Sequence, residues 1–208
     1  MLKGKAFKFG DGISTDHIIP GKYLSLRSNL PELAKHVLED ADPTFAKRVQ
    51  KGDFVVGGKN FGLGSSREHA PIVIKMAGVS AILAKSSARI FFRNAINVGL
   101  PVLICDTDNI KDGDELEVDL EKGTVKDLTN GTTVTFSKMP EIMLGILNEG
   151  GLISYIEKYK DFVVNPGKNP NSLVFLSRME QCPAPIHITR SPVDNDRAHF
   201  TLLFRTIP

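Results

Sequence analysis

The sequence predicts an α/β domain with a mixed sheet, helices and a small antiparallel meander, and three observations carry that reading. Phe54-Val55-Val56 and Ala81-Ile82-Leu83-Ala84 are nearly continuous apolar runs, as strands buried on both faces require. Segments with helical apolar spacing lie between such runs. In the later half, turn residues at regular intervals separate three short β-type segments.

Taken in order, β-type runs fall at Gly4–Phe9, Asp53–Gly57, Ser80–Ala84 and Pro101–Cys105. Pro31–Glu39 begins with proline after Ser28 and Asn29 and puts Leu30, Leu33, Val37 and Leu38 on one side, predicting a short amphipathic helix. Ala88, Phe91, Phe92 and Ala95 repeat the i, i+3, i+4, i+7 spacing of a second helix. Leu116–Leu120, Thr124–Leu128 and Thr132–Phe136 are divided by Glu121-Lys122-Gly123 and Thr129-Asn130-Gly131, and Asn-Gly is a strong hairpin signal. Met143–Lys158 reads as a closing helix interrupted near Gly150-Gly151, because paired glycines weaken a helix interior. Beyond Phe162 the character changes: the 45 residues from Val164 hold six of the 12 prolines and little periodicity. The expected organisation is one domain over residues 1–162 and a tail over 163–208. Leu173–Leu176 and Phe200–Phe204 leave open whether that tail docks or is disordered.

Composition narrows the function. With 41% hydrophobic and 24% charged residues the 208-residue chain can bury a real core. Its 26 basic and 24 acidic side chains leave a net charge of +2, with no basic block that would call for nucleic acid. No run approaches membrane-spanning length and none resembles a signal peptide, so a cytoplasmic protein without a membrane partner is expected. Cys105 and Cys182 are too few for a disulfide framework or a self-contained zinc or iron–sulfur site. His36, His69, His187 and His199 have no convincing metal spacing with one another, so they are read as structural or solvated.

The segment that carries chemistry is Gly57-Gly58-Lys59-Asn60-Phe61-Gly62-Leu63-Gly64-Ser65-Ser66-Arg67-Glu68-His69, which leaves a buried strand and enters a helix. Its four glycines allow close backbone approach. Ser65 and Glu68 have capping-box spacing, which predicts free N–H groups pointing over Ser65 and Ser66, an anion site. Arg67 adds a planar fork suited to carboxylate. Taken alone, Ser-x-x-Glu is simply a helix cap and Arg67 a solvated first-turn residue. There is no Gly-Lys-Ser/Thr of a P-loop, Arg67 stands where a dinucleotide fingerprint needs its third glycine, and no Gly-x-Ser-x-Gly elbow occurs.

Three runs in this chain, STDHIIP at 14–20, GLGSSREHAP at 62–71 and AKSSARIFFRNAINVGLP at 84–101, resemble the swivelling domain of the aconitase superfamily. The resemblance is to the separate-subunit form found in isopropylmalate dehydratases and homoaconitases, and it covers roughly residues 1–162. It implies a β/β/α fold, no cofactor bound by this chain, and a 4Fe–4S cluster in an obligate large-subunit partner. It also implies a hydro-lyase reaction that moves a hydroxyl between adjacent carbons of a malate derivative. Ser65 would be the base that takes the carbon-bound proton, Ser66 and Arg67 would hold a substrate carboxylate, and Asp16 would lie in the active site. Without the family, Ser14-Thr15-Asp16-His17 is a turn with local side-chain hydrogen bonds.

The resemblance further implies that the loop Tyr23-Leu24-Ser25-Leu26-Arg27 helps choose the substrate side chain. Leu24 and Leu26 favour an apolar substituent such as isopropyl, whereas an inward Arg27 would favour a third carboxylate. The expected function is therefore that of a small subunit for 3-isopropylmalate dehydration and rehydration in leucine biosynthesis. Homoaconitate, citramalate-type and 2,3-dimethylmalate substrates are the alternatives. Two other classes remain: a non-catalytic anion-binding regulatory module on the same glycine-rich loop, and a hydrolase with Ser65 as nucleophile and His69 as base.

Overall fold

A computed structural model describes residues Met1–Lys160. Four parallel strands, β1 (Leu2–Lys8), β2 (Phe54–Val56), β3 (Ala81–Ala84) and β4 (Val102–Ile104), are extended by three antiparallel ones: β5 (Glu115–Asp119), β6 (Thr124–Asp127) and β7 (Thr133–Thr135). The sheet runs β4-β3-β2-β1-β5-β6-β7, so β1 is the seam, parallel to β2 and antiparallel to β5. All seven lie on the runs read from sequence.

The strands are apolar on both sides because both sides are covered. Val55, Ile82 and Val102 belong to one core cluster together with Leu33, Val37, Phe45, Val73, Ile74 and Phe91 from the helical layer. Their neighbours Phe54, Val56, Leu83 and Leu103 belong to a second, shared with Leu116, Val118 and Val125 of the meander. The antiparallel half thus covers the face that the helices leave open, the two-sided burial that removes alternation from a parallel strand. Asp127 orders the Asn-Gly turn: its carboxylate accepts from the backbone N–H groups of Thr129 (2.9 Å) and Asn130 (3.3 Å) and from the Asn130 side-chain amide (2.8 Å).

The helices are α1 (Thr15–Ile18), α2 (Leu30–Ala34), α3 (Phe45–Arg48), α4 (His69–Met76), α5 (Arg89–Asn97), α6 (Glu141–Asn148) and α7 (Leu152–Tyr159). The closing helix is broken where the glycine pair foretold, with φ of +80° at Gly150 and +142° at Gly151. The expected helix over Pro31–Glu39 is shorter than its apolar spacing suggested. Asn29 caps it by accepting from the Glu32 N–H (3.4 Å), but after Ala34 the chain passes into turns. Leu38 takes a positive φ of 57°, its N–H donates to the Ile18 carbonyl (3.0 Å), and Asp42 N–H donates back to its own carbonyl (2.8 Å). Tertiary hydrogen bonding from α1 therefore ends the helix, and His36 lies in the turns that follow it. The loop expected to choose the substrate side chain is a 3₁₀ helix over Gly21–Ser28. The expected tail over 163–208, with Cys182, His187 and His199, lies outside the described residues.

Candidate active site

The carboxyl ends of the parallel strands place the site, as is general for open parallel sheets. The glycine loop leaves β2 and runs between two other segments that leave β1 and β3. On one side Gly12 N–H donates to Lys59 O (2.8 Å), Gly62 N–H to Ile13 O (2.7 Å) and Thr15 N–H to Leu63 O (2.8 Å). On the other, Phe61 N–H donates to Ser86 O (2.9 Å) and Ala88 N–H to Phe61 O (2.9 Å). The three motifs, distant in sequence, are thus adjacent in space. Gly62 makes the packing possible: its φ is +75°, and a Cβ there would lie 2.1 Å from the Phe91 ring. Gly64, at φ +112°, lets the Thr15 hydroxyl approach to where a Cβ would be 3.0 Å away.

Ser65 is exposed, with its hydroxyl 3.1 Å from the Thr15 hydroxyl, which also accepts from the Ser65 backbone N–H at 3.1 Å. The capping box expected between Ser65 and Glu68 does not form. Helix α4 begins at His69, Glu68 precedes it without a side-chain cap, and the Ser65 side chain turns back to Thr15 instead. The physical reason is positional: Ser65 lies four residues before the first helical one and is held by the Thr15 pair. A true capping box belongs to α1, where Ser14 accepts from His17 N–H (3.2 Å) and His17 Nδ1 accepts from Ser14 N–H (3.1 Å). The local hydrogen bonding read for that segment is therefore present, with a structural role for His17.

The anion-binding expectation keeps its donors in altered form. The backbone N–H groups of Ser66, Arg67, Glu68 and His69 donate to no acceptor among the described residues, and they stand at the amino end of an eight-residue helix. Arg67 is half-buried, and its Nη1 is held by Asp16 (2.6 Å) and by the carbonyls of Thr15 (3.4 Å) and Ile19 (3.3 Å). Its Nε and Nη2 make no bond to a described residue, so the fork retains donors for a carboxylate. Asp16 has the orienting relation to a cation that a carboxylate beside this motif can take up, while 64% of its side chain stays exposed. Asn94 donates to the Ser66 carbonyl (3.4 Å), tying the loop to α5.

Within Gly21–Ser28, Tyr23 and Leu26 pack toward the helical core, while Leu24, Ser25 and Arg27 are exposed. The Tyr23 ring stacks on His36 with centroids 3.8 Å apart, and its hydroxyl donates to Glu39 (3.0 Å). Thr15, buried to 1% exposure, is the site-lining residue that sequence reading passed over. Its signal was its place directly before Asp16, a hydroxyl on a β-branched residue inside a Ser-Thr-Asp run. Among the described residues no group of three or more His, Cys, Asp or Glu side chains could hold a metal ion. Cys105 is buried in the second core cluster, and burial pushes its thiol up to about 11, so it is a poor thiolate donor.

Residues 9–106 match the family model of the aconitase C-terminal domain. The chain is similar to the 3-isopropylmalate dehydratase small subunit 2 of Archaeoglobus fulgidus, with 66% identity over 163 residues, 78% of this chain and 99% of that protein. It is 61% identical to small subunit 1 of the same enzyme from Thermotoga maritima, over 78% of this chain and 98% of that one. The isopropylmalate/citramalate isomerase small subunit of Methanocaldococcus jannaschii is 51% identical, over 76% and 95%. A crystal structure of a 3-isopropylmalate dehydratase from Methanocaldococcus jannaschii superposes with a TM-score of 0.73 at 48% identity, covering 76% of this chain and 95% of that one. With its glycine loop, its Ser-Ser-Arg segment and its strand order in place, the chain belongs to the aconitase-superfamily family of 3-isopropylmalate dehydratase small subunits.

Proposed function

We propose that this chain is the small subunit of a 3-isopropylmalate dehydratase, a hydro-lyase that interconverts 2- and 3-isopropylmalate by dehydration and rehydration in leucine biosynthesis. The observation that carries the reading is the open cluster of Ser65, Thr15, Arg67 and Asp16 beside unpaired backbone N–H groups, in a chain 66% identical to a small subunit of that name. On this reading Arg67 and the N–H groups of Ser66 and Arg67 bind a substrate carboxylate. Ser65 Oγ removes the carbon-bound proton as an alkoxide, and it returns that proton in the reverse direction. Each unit by which the serine pKa is depressed requires about 1.4 kcal/mol of preferential anion stabilisation. The Thr15 hydroxyl, the helix terminus and the Arg67 charge are the sources in this chain.

The donor set of the described residues does not fit an iron–sulfur cluster, since its one thiol is buried and held protonated. We assign the 4Fe–4S cluster to a large subunit, which makes that subunit an obligate partner. The exposure of Ser65, Ser66 and Leu24 supports a site completed from outside this chain. Among the described residues no helix is long and apolar enough to cross a membrane, and we assign the chain to the cytoplasm because two cysteines in 208 residues make no disulfide framework. The exposed Leu24 and the Methanocaldococcus relative's name favour one further substrate, citramalate, which carries a smaller apolar group on the same frame.

The test is reconstitution. Purified chain mixed with a cluster-loaded 3-isopropylmalate dehydratase large subunit is expected to interconvert the two isopropylmalates, with neither subunit active alone. Turnover by partner-free chain refutes the obligate partnership. Carboxylate binding by the lone chain, with no turnover in the complex, would instead establish a binding module.

A further inference from the structure

Three side chains converge on the carboxylate of Glu39, a residue outside the catalytic group. Glu39, half-buried, accepts from Lys22 Nζ at 2.9 Å and from the Tyr23 hydroxyl at 3.0 and 3.1 Å, and it is hydrogen-bonded to His36 Nδ1 at 2.7 Å. Tyr23 is sandwiched against the His36 ring, and Lys22 lies over the Tyr23 ring at 4.9 Å from its centroid and 3.9 Å from the Asp40 carboxylate. Two of these groups, Lys22 and Tyr23, open the 3₁₀ segment Gly21–Ser28, and the other two come from the turns after α2. The carboxyl of Glu39 is held down to about 2, chiefly by the Lys22 ammonium and then by the His36 bond, so it is ionised throughout the neutral range.

The backbone next to this hub is constrained as well. Leu38 is fully buried at a positive φ of 57°, a conformation rare for a leucine, and its N–H is bound to the carbonyl of Ile18, the last residue of α1. Helix α1 carries Thr15 and Asp16. The Leu38-Glu39 pair therefore joins two arms of the site: one bond to the helix that orients Arg67 and hydroxyl-bonds Ser65, and a cluster of bonds to the segment that presents Leu24. Within Gly21–Ser28 the described side-chain hydrogen bonds and ion pairs all run through Lys22 and Tyr23, and all but the long Lys22–Asp40 contact end on Glu39.

We propose that Glu39 is a positioning residue for substrate selection, fixing the Gly21–Ser28 segment relative to α1 so that Leu24 is presented to the substrate side chain. This rests on the reading that the segment selects the substrate. The hydrogen bonds of Glu39 go to Lys22, Tyr23 and His36 and none reaches Ser65 or Arg67, so its loss acts on recognition more than on proton transfer.

The experiment uses the small subunit assembled with its large subunit and measures kcat and KM for 3-isopropylmalate and citramalate. Glu39→Ala is expected to raise KM for 3-isopropylmalate about tenfold and to narrow the kcat/KM preference between the substrates by a similar factor, with kcat within about threefold of the parent. Tyr23→Phe is expected to give a smaller loss in the same direction. Because both act through one contact, the double variant should be no worse than Glu39→Ala alone. A Glu39→Ala subunit that melts earlier yet keeps the parent KM and substrate ratio overturns the proposal, since Glu39 would then be a stability contact only. Leu24→Ala separates this failure from failure of the underlying reading. A ratio unmoved by Leu24→Ala refutes selection by the segment, whereas a ratio moved by Leu24→Ala and not by Glu39→Ala refutes only the role of Glu39.

Discussion

Replacing Ser65 by alanine separates its chemistry from its structure, because the two effects differ widely in size. Ser65 is exposed and precedes α4 without capping it, so the variant loses no helix cap. What it loses is the hydroxyl pair with Thr15 at 3.1 Å, while the Ser65 N–H still donates to the Thr15 hydroxyl. One net hydrogen bond is worth about 0.5–1.5 kcal/mol. For a domain of this size that lowers Tm by about 1–6 °C. Loss of a general base costs roughly 10²–10⁴ in rate, or about 3–5 kcal/mol on the barrier. On the proposed reading Arg67 and the free N–H groups remain to bind carboxylate, so KM should hold while kcat falls. The assay is isomerisation by the assembled enzyme, alongside exchange of the substrate's carbon-bound hydrogen with deuterated solvent, which reads proton removal directly. Near-parental exchange by a folded, assembled Ser65→Ala enzyme would refute Ser65 as the base.

Gly62→Ala combines a left-handed backbone with a Cβ 2.1 Å from the Phe91 ring, and a destabilisation of about 2–4 kcal/mol is expected, read from the urea midpoint. A midpoint unchanged from the parent would show that the loop can move off α5. Arg27 is exposed in the 3₁₀ segment, so Arg27→Ala should change stability by less than about 0.5 kcal/mol and leave KM for 3-isopropylmalate nearly as it was. A strong loss confined to a tricarboxylate substrate would instead show the arginine pairing with a third carboxylate. Equal loss on both would mean it shapes the segment.

The strands were legible because each carries its own evidence. Runs such as Phe54-Val55-Val56 state two-sided burial without reference to any distant residue, and Asn130-Gly131 marks a hairpin by its backbone preference alone. The break at Gly150-Gly151 is local in the same sense. Pro31–Glu39 failed as one helix because its end is set from outside: Leu38 exchanges a helical hydrogen bond for the Ile18 carbonyl. The same reason explains Ser65. Its spacing to Glu68 suits a capping box, but Thr15, 50 positions away in the chain, takes its hydroxyl.

By itself, then, the sequence determined the mixed α/β class, the order of the sheet-forming runs and the three motifs that mark the family, since periodicity, turn chemistry and residue type are properties of neighbours along the chain. It also named Ser65, Ser66, Arg67 and Asp16 as one group. Tertiary structure alone decided how that group is wired: that Asp16 holds Arg67 at 2.6 Å, that Thr15 meets Ser65, and that Glu39 gathers Lys22 and Tyr23 from the Gly21–Ser28 segment. Each of these contacts joins residues brought together by folding and depends on distances of about 3 Å, which spacing along a chain does not encode.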